Sequence, residues 1–216
     1  NIIYIAIHGI PENQFEETKR FLEPIRKVRM KRCQDETSKL NNWLNKCKMP
    51  EIDFFNDVLS ISRVDEGGTI TERHICYALA KKIIQKSDAN KSLMSVLKDD
   101  LGLEIKSKTE KFLRNKKDPH LIYDLLGILK SQVVPHFFIP SSICECPSAY
   151  EAATFAQSIN AIPAYAYLGD VTNSPTGDKK PEIFEDNFLD ELIPTLKQLG
   201  FQAVTYMPPR NTREQL

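Results

Sequence analysis

The sequence predicts an α/β protein in which β/α units are interrupted by an all-helical insertion. Two observations carry this prediction. An apolar run opens the chain, and from Val133 onward short apolar runs alternate with helical segments, which is typical of parallel β/α units. Between them, residues 49–130 contain helical patterns and no clear strand. We therefore divide the chain into a β/α portion, 1–48 with 131–216, and a helical insertion, 49–130.

The first predicted elements are a strand and a long helix. Residues 2–7 are too uniformly apolar for a half-exposed strand, so they suit a strand buried on both faces, as in parallel sheets. Pro24 fits the first position of a helix, and apolar residues keep near-helical spacing from there to about Lys48. The sequence thus begins as a β/α unit.

Helix signals dominate the insertion. Thr69 and Glu72 form a capping-box pattern, which predicts a helix over residues 70–85. Further helical segments are predicted at 54–59, 92–101 and 121–130, with a basic stretch at 106–117 separating the last two.

Strands and helices alternate in the last third of the chain. Gly200 follows the last predicted helix and suits its C-terminal cap, while Asp186 or Asn187 suits its start. The predicted strands are 136–139 ("HFFI"), 162–168 and 203–208, and the predicted helices are 148–159 and 186–199.

Composition narrows the class of protein. The 216 residues are 41% hydrophobic and 27% charged, as in soluble globular proteins, and the formal net charge is zero, which gives no nucleic-acid footprint. No apolar run approaches the roughly 20 residues of a membrane span, and no signal peptide opens the chain, so we expect a cytoplasmic protein. Because Asn1 lies within a predicted strand, we expect the sequence to be an internal piece of a longer protein.

The five cysteines are odd in number and dispersed, which argues against a disulfide framework. Cys144 and Cys146 are one spacer short of the usual zinc-binding pair, and no second pair exists. Zinc binding at this pair is therefore disfavoured.

Functional groups of parallel β/α folds lie where strands end, and three loops qualify here. They are His8–Gly9, residues 169–180 and residues 208–213. His8 is a candidate base or ligand. In the last loop, Arg210 has the planar donor fork that suits a phosphate or carboxylate, with Tyr206 and Asn211 beside it.

The loop 169–180 carries the most polar chemistry. Lys179 and Lys180, with nearby hydroxyls, could hold an anion, whereas Asp170 and Asp178 could chelate a metal ion. The alternative is an ordinary solvated loop, and the residues alone leave both open.

Two further basic features are candidates for binding an anion. Arg73 and His74 fall in the first turn of the predicted capped helix, where the dipole favours negative charge. The alternative is that they only balance the acidic pair at 65–66. The basic run 25–32 is more typical of a solvated helix face, although Arg26 or Arg29 could reach a phosphate.

Three segments together resemble the polymerase-and-histidinol-phosphatase (PHP) family, and most of all its bacterial members: "IYIAIHGI", "GGTITERHICYALAKKI" and "AIPAYAYLGD". The resemblance implies part of a distorted β/α, TIM-like barrel with a helical insertion. It also implies two or three divalent metal ions (Mn, Zn, Mg or Fe) at the strand ends, which activate water to cleave phosphate esters.

The sequence departs from the family pattern in its metal ligands. The early H-x-H and late D-x-H motifs are absent, and Tyr167 stands where the family has a ligating histidine. Two explanations, which are not exclusive, stay open: the missing motifs lie outside this sequence, and the protein has lost its metal set. Arg73 and His74 match the family's R-x-H helix only loosely, since here the two are adjacent.

Two functions follow as expectations. The first is a PHP-type phosphoesterase that hydrolyses a small phosphorylated metabolite or nucleotide, with metal ions that these residues alone do not hold tightly. The second is a degenerate barrel that binds a ligand or partner without catalysis. Neither involves a membrane or nucleic acid. The expected substrate-binding residues are Arg73, His74, Asp170, Lys179, Lys180 and Arg210.

Overall fold

A computed structural model of the chain describes residues 3–89, 91–115, 118–170, 185–207 and 211–215. The chain divides into two compact units, Asn1–Ile25 with Ser142–Leu216 and Arg26–Ser141. The strands are β1 (Ile5–His8), β2 (Ile162–Ala166) and β3 (Ala203–Thr205). The helices are α1 (Phe15–Lys46), α2 (Glu72–Ala89), α3 (Leu93–Ser95), α4 (Ser107–Leu113), α5 (Leu121–Gln132), α6 (Val134–Phe137), α7 (Ala149–Ser158) and α8 (Leu189–Gln198).

The three strands form one sheet in the order β1-β2-β3. β2 and β3 are parallel, with Ala164 opposite Ala203. β1, however, is antiparallel to β2, with His8 opposite Ile162, and its residues are half-buried or exposed. The prediction of a parallel strand buried on both faces was therefore wrong for β1. An apolar run indicates a strand but does not determine the direction in which that strand pairs.

The core of the first unit lies between the sheet and its helices. Ser148 and Glu151 form a capping box that starts α7. Gly200 adopts a left-handed φ of 91° after α8, which confirms the predicted C-terminal cap. Tyr165 and Tyr167 of the β2 segment join the buried cluster that also contains Ala153, Leu196 and Phe201.

The start of α8 differs from the prediction. A 3-10 turn, Asp186–Phe188, precedes the helix, and no side chain caps either element. Asp186 instead accepts hydrogen bonds from Tyr167 and Gln215.

All the secondary structure among the described residues of the second unit is helical. α2 and α5 pack together, and fully buried side chains of α1, α2 and α5 fill the core: Leu40, Leu44, Leu79, Ile83, Leu125 and Leu129. This unit is larger than the predicted insertion, since it takes in α1 from Arg26 and continues to Ser141. Among the described residues, no helix combines the length and apolarity that crossing a membrane requires.

The sequence predictions differ from the structure at three helices. α1 begins at Phe15, so Pro24 lies in its interior, while Glu16 and Glu17 occupy the first turn, where the dipole favours acidic residues. The predicted strand 136–139 is instead helical up to Phe137, because Pro135 occupies the first turn of α6 and Phe137 is fully buried in the helical core. The basic stretch 106–117 contains α4, which the sequence did not predict.

Candidate functional site

The polar residues that follow β2 and β3 meet at one edge of the sheet, because these two strands are parallel. We call this group the strand-end cluster; it consists of Tyr165, Tyr167, Asp170, Glu185, Asp186, Asn211 and Gln215. Every member is hydrogen-bonded to another member or to the backbone beside it.

Glu185 occupies the end of β2 as a hydrogen-bond acceptor. One carboxylate oxygen accepts the hydroxyl of Tyr165. The other accepts the backbone N–H of Leu168 at 3.0 Å and that of Gly169 at 2.6 Å. The two backbone donors that follow the strand are thus paired within the protein.

Asp186 plays a similar role one residue further on. It accepts the hydroxyl of Tyr167 and, at 2.8 Å, the side-chain amide of Gln215. Although burial alone would raise it, the pKa of Asp186 lies below its usual value because of these hydrogen bonds. Asp170 in turn accepts the backbone N–H of Glu185 at 2.7 Å, which joins the two sides of the segment 171–184.

Residues after β3 complete the strand-end cluster. The side chain of Asn211 donates to the carbonyl of Leu168 at 3.0 Å and accepts the backbone N–H of Met207 at 2.7 Å. Gln215 also donates to the carbonyl of Asp170 at 2.9 Å. Gly169 has a φ of 66°, which favours glycine, and a Cβ atom there would lie 2.7 Å from Nδ2 of Asn211, so this side chain would have to move.

Both tyrosines of the strand-end cluster are neutral donors. Burial, and then the hydrogen bonds to Glu185 and Asp186, raise the pKa of Tyr165 and of Tyr167 well above the usual value for a phenol. The folded protein therefore retains these protons at a pH where the unfolded chain has lost them. Their contribution to folding stability is complete below pH 10, and it falls as the pH rises beyond that value.

We expect a spectrophotometric titration of the native protein to leave Tyr165 and Tyr167 protonated until the protein unfolds, because the pKa of each phenol is raised in the folded state. Tyr167→Phe should therefore reduce the absorbance change that accompanies unfolding at high pH, and it should leave any earlier phase unchanged. A single early transition that includes Tyr167 would contradict the assignment.

The strand-end cluster does not fit the metal centre that the family resemblance implies. Tyr167 stands at the expected histidine position, and its hydroxyl donates a hydrogen bond instead of offering a free ligand atom. The carboxylates of Glu185 and Asp186 already accept hydrogen bonds from the protein. Across the part of the chain that the structure describes, no group of three or more His, Cys, Asp or Glu side chains could hold a metal ion.

The predicted site residues are only partly brought together. Asp170 lies in the strand-end cluster. Lys179, Lys180 and Arg210 lie outside the described residues. His8 lies at the opposite edge of the sheet, where β2 begins, because β1 runs antiparallel to β2.

Arg73 and His74 lie in the second unit, at the start of α2. Nδ1 of His74 accepts the backbone N–H of Thr71 at 3.1 Å, so His74 caps the helix. The expected Thr69–Glu72 capping box was wrong, since α2 begins at Glu72 and that carboxylate instead pairs with Arg32 at 2.6 Å.

The basic run of α1 also has a structural use. Arg26 donates to the carbonyls of Val64 at 3.1 Å and Gly68 at 2.5 Å. It therefore holds the turn that precedes α2.

Sequence reasoning missed Tyr165, Glu185 and Gln215. Tyr165 and Tyr167 alternate with alanines along β2, so a period of two could have placed both hydroxyls on one face. No local pattern indicates Glu185 or Gln215, because their partners in the strand-end cluster are 15 to 45 positions away.

Comparison with known proteins gives one informative similarity. No protein-family model matches the chain, and no curated protein matches it significantly. A solved structure from Bifidobacterium adolescentis, assigned as a metal-dependent phosphoesterase, is similar with a TM-score of 0.52 at 15% sequence identity. The similarity covers 99% of this chain and 55% of that chain, so this chain spans about half the length of the neighbour. Identity this low shows a shared fold alone.

Proposed function

We propose that the chain is part of a PHP-type protein that binds a small phosphorylated metabolite or nucleotide at the strand-end cluster. The fold it shares with a metal-dependent phosphoesterase supports the choice of ligand class, although fold alone does not determine function. The observation that carries the proposal is that the two segments bearing the predicted phosphate-binding cations both start and end at this cluster.

The first of these segments, 171–184, leaves at Asp170 and returns at Glu185, and these two residues are hydrogen-bonded at 2.7 Å. Lys179 and Lys180 belong to this segment, whose two flanking residues lie in the strand-end cluster.

The second segment, 208–210, is bracketed in the same way. Met207 and Asn211 exchange two hydrogen bonds, at 2.7 and 2.9 Å, and Asn211 is also bonded to Leu168. Arg210 immediately precedes Asn211 in the sequence.

Binding of a phosphate at the strand-end cluster is electrostatically favourable only if the predicted cations contribute their positive charges. Asp170, Glu185 and Asp186 place three carboxyl groups at the edge of the sheet, and they would repel an anion. Hydrogen bonds from the protein satisfy Glu185 and Asp186, and three cations, Lys179, Lys180 and Arg210, can offset the charge. Binding and neutralisation of phosphate is the chemistry that these residues supply.

Metal-dependent hydrolysis of a phosphate ester is the second candidate function. The assignment of the structural neighbour as a metal-dependent phosphoesterase favours it. The described residues do not fit a metal centre, so we derive no step through a metal ion; this function requires ligands from other residues.

We expect Lys179→Ala/Lys180→Ala to weaken the binding of AMP by about 1–3 kcal/mol, since charge-assisted hydrogen bonds to the phosphate are lost. Calorimetric titration with AMP, in the presence of a chelator, measures this effect on the purified protein. Thermal stability should hardly change, because the proposal assigns the two lysines to the ligand and not to the fold. Lys19→Ala/Lys31→Ala, which removes two exposed lysines of α1, is the matched control and should bind AMP like the parent protein.

A second measurement separates binding from hydrolysis. Release of phosphate from p-nitrophenyl phosphate is followed with manganese and with chelator. Manganese-dependent release would favour the hydrolase, while chelator-resistant binding of AMP without release favours the binding protein. Absence of AMP and phosphate binding under both conditions would refute the proposal.

A further inference from the structure

Two thiols share one cavity in the first unit. A 3-10 turn, Ile143–Glu145, places Cys144 on the surface and leaves Cys146 half-buried, while Glu145 between them is buried. Both cysteines line a cavity of about 690 Å³, together with Arg20, Phe21, Ile143 and Pro147. Because Glu145 turns inward, the two thiols have access to the same space.

We propose that Cys144 and Cys146 form a redox-active dithiol that is converted to a disulfide by a low-molecular-weight disulfide such as oxidised glutathione. This site is separate from the strand-end cluster and does not depend on the function proposed for that cluster.

The backbone of the turn suits this bond. Glu145 donates its backbone N–H to Ser142 at 3.0 Å, and Cys146 donates to Ile143 at 3.2 Å, which closes the turn. With a rise of about 2 Å per residue in a 3-10 turn, residues i and i+2 are about 4 Å apart along the axis and are also displaced around it, which brings their Cα atoms into the roughly 4.4–6.8 Å that a disulfide spans. The backbone spacing therefore permits the bond.

The greater exposure of Cys144 makes it the first of the two thiols to react. The thiolate of Cys144, the accessible residue, attacks a sulfur of the oxidant, forms a mixed disulfide and releases one glutathione thiolate. The thiolate of Cys146 then attacks Sγ of Cys144 and releases the second glutathione. The protein loses two protons and two electrons, and the electrons reduce one oxidised glutathione to two molecules of the thiol.

The cavity favours such an oxidant. Its walls are largely apolar, but Arg20 lies in it and carries a cation that attracts the carboxylates of a small peptide. Arg20 forms an exposed ion pair with Glu17, with 2.7 Å between the guanidinium nitrogen and the carboxylate oxygen. The other N–H donors of the guanidinium remain available to solvent.

The remaining cysteines provide internal controls. Cys33 and Cys76 are buried, and burial raises the pKa of Cys76 to about 12. Burial, followed by the charge of Asp100, also raises the pKa of Cys47. Thiols of this kind react slowly, since the thiolate is the reacting form.

The test is mass spectrometry of the purified, reduced protein after incubation with oxidised glutathione. We expect the protein to lose two hydrogens, mapped to the peptide with Cys144 and Cys146. Cys146→Ser should accumulate one glutathionyl group on Cys144, because the resolving thiol is missing. Cys144→Ser should react at least roughly tenfold more slowly than the parent.

Cys47→Ser is the matched control and should behave like the parent protein, while circular dichroism checks that each variant is folded. The proposal is overturned if the parent protein keeps glutathione without closing the disulfide, or if it does not react. Equal adduct yields from Cys144→Ser and Cys146→Ser would overturn it as well.

Discussion

Glu36→Ala should lower the free energy of unfolding by about 3–5 kcal/mol, the scale for breaking a buried ion pair and leaving buried donors without an acceptor. The Glu36 side chain is 0% exposed, and that of Arg32 is 12% exposed. Arg32 donates to Glu36 at 2.9 Å and to Glu72 at 2.6 Å. Glu36 also accepts the backbone N–H of Ile139 at 3.0 Å, so the substitution loosens contacts among α1, α2 and the segment after α6.

Chemical denaturation of the variants measures this effect, and α1 offers a matched control. Lys31 and Asp35 form a pair with the same four-residue spacing, but the Lys31 side chain is 67% exposed. Asp35→Ala should therefore change stability by about 0.5 kcal/mol or less. Similar losses from Asp35→Ala and Glu36→Ala would contradict the burial argument.

The pH dependence of the same site has a defined sign. Burial, reinforced by the charge of Glu72, raises the pKa of Glu36 above 4.5, so the folded protein keeps a proton that the unfolded chain loses. The stability from this group is complete below pH 4.5 and declines as the pH rises through the raised pKa. One oxygen, Oε2, is buried without a hydrogen-bond partner among the described atoms, so part of the negative charge is uncompensated, which agrees with the raised pKa. Glu36→Gln should reduce this pH dependence and, near neutral pH, change stability by about 1 kcal/mol or less.

Gly169→Ala should destabilise the first unit by about 3 kcal/mol and abolish ligand binding at the strand-end cluster. The substitution forces a non-glycine residue to a φ of 66°, which costs about 1–2 kcal/mol. The added methyl group would also lie 2.7 Å from Asn211 and 2.8 Å from Gln215, so both side chains must move from their hydrogen bonds with Leu168 and Asp170.

Gly9→Ala separates these two effects. Gly9 has the same φ of 66°, but a Cβ atom there meets no atom within 4 Å. This variant should lose about 1–2 kcal/mol and keep AMP binding. Thermal denaturation and calorimetric titration of both variants give the comparison. Equal stability losses, or retained binding in Gly169→Ala, would show that the contacts of Asn211 and Gln215 are not needed.

Local patterns were sufficient for several elements of the fold. The helix predicted at 148–159 is α7 and the helix at 121–130 lies within α5, because their apolar spacing and end signals are local. The direction of β1 depends on a partner far along the chain, which no local pattern records. The apolar run at 136–139 has four residues, which is too short to distinguish a strand from a helix. Pro135 suits the first turn of a helix, and it occupies that position in α6.

The site was predicted less completely than the fold, for a related reason. Asp170 was placed at a strand end because the apolar run 162–168 breaks at Gly169, and the structure has it there. The role of Asp186 depends on contacts with Tyr167 and Gln215, which are 19 and 29 positions away. Sequence reasoning assigned Asp186 to a helix cap, since only its neighbours were visible.

The antiparallel pairing of β1 with β2 also constrains the order in which the chain folds. Ile5 pairs with Tyr165, and the whole of Arg26–Ser141 lies between them in sequence. Closing so long a loop in a disordered chain carries a large entropic penalty, whereas the helical contacts of the second unit are more local. We expect that unit to fold first and to shorten the effective loop, so that the sheet closes late. During synthesis the pairing of β1 with β2 then waits until the ribosome has released β2, and in that interval the edge of β1 that will pair with β2 is open to association with other chains.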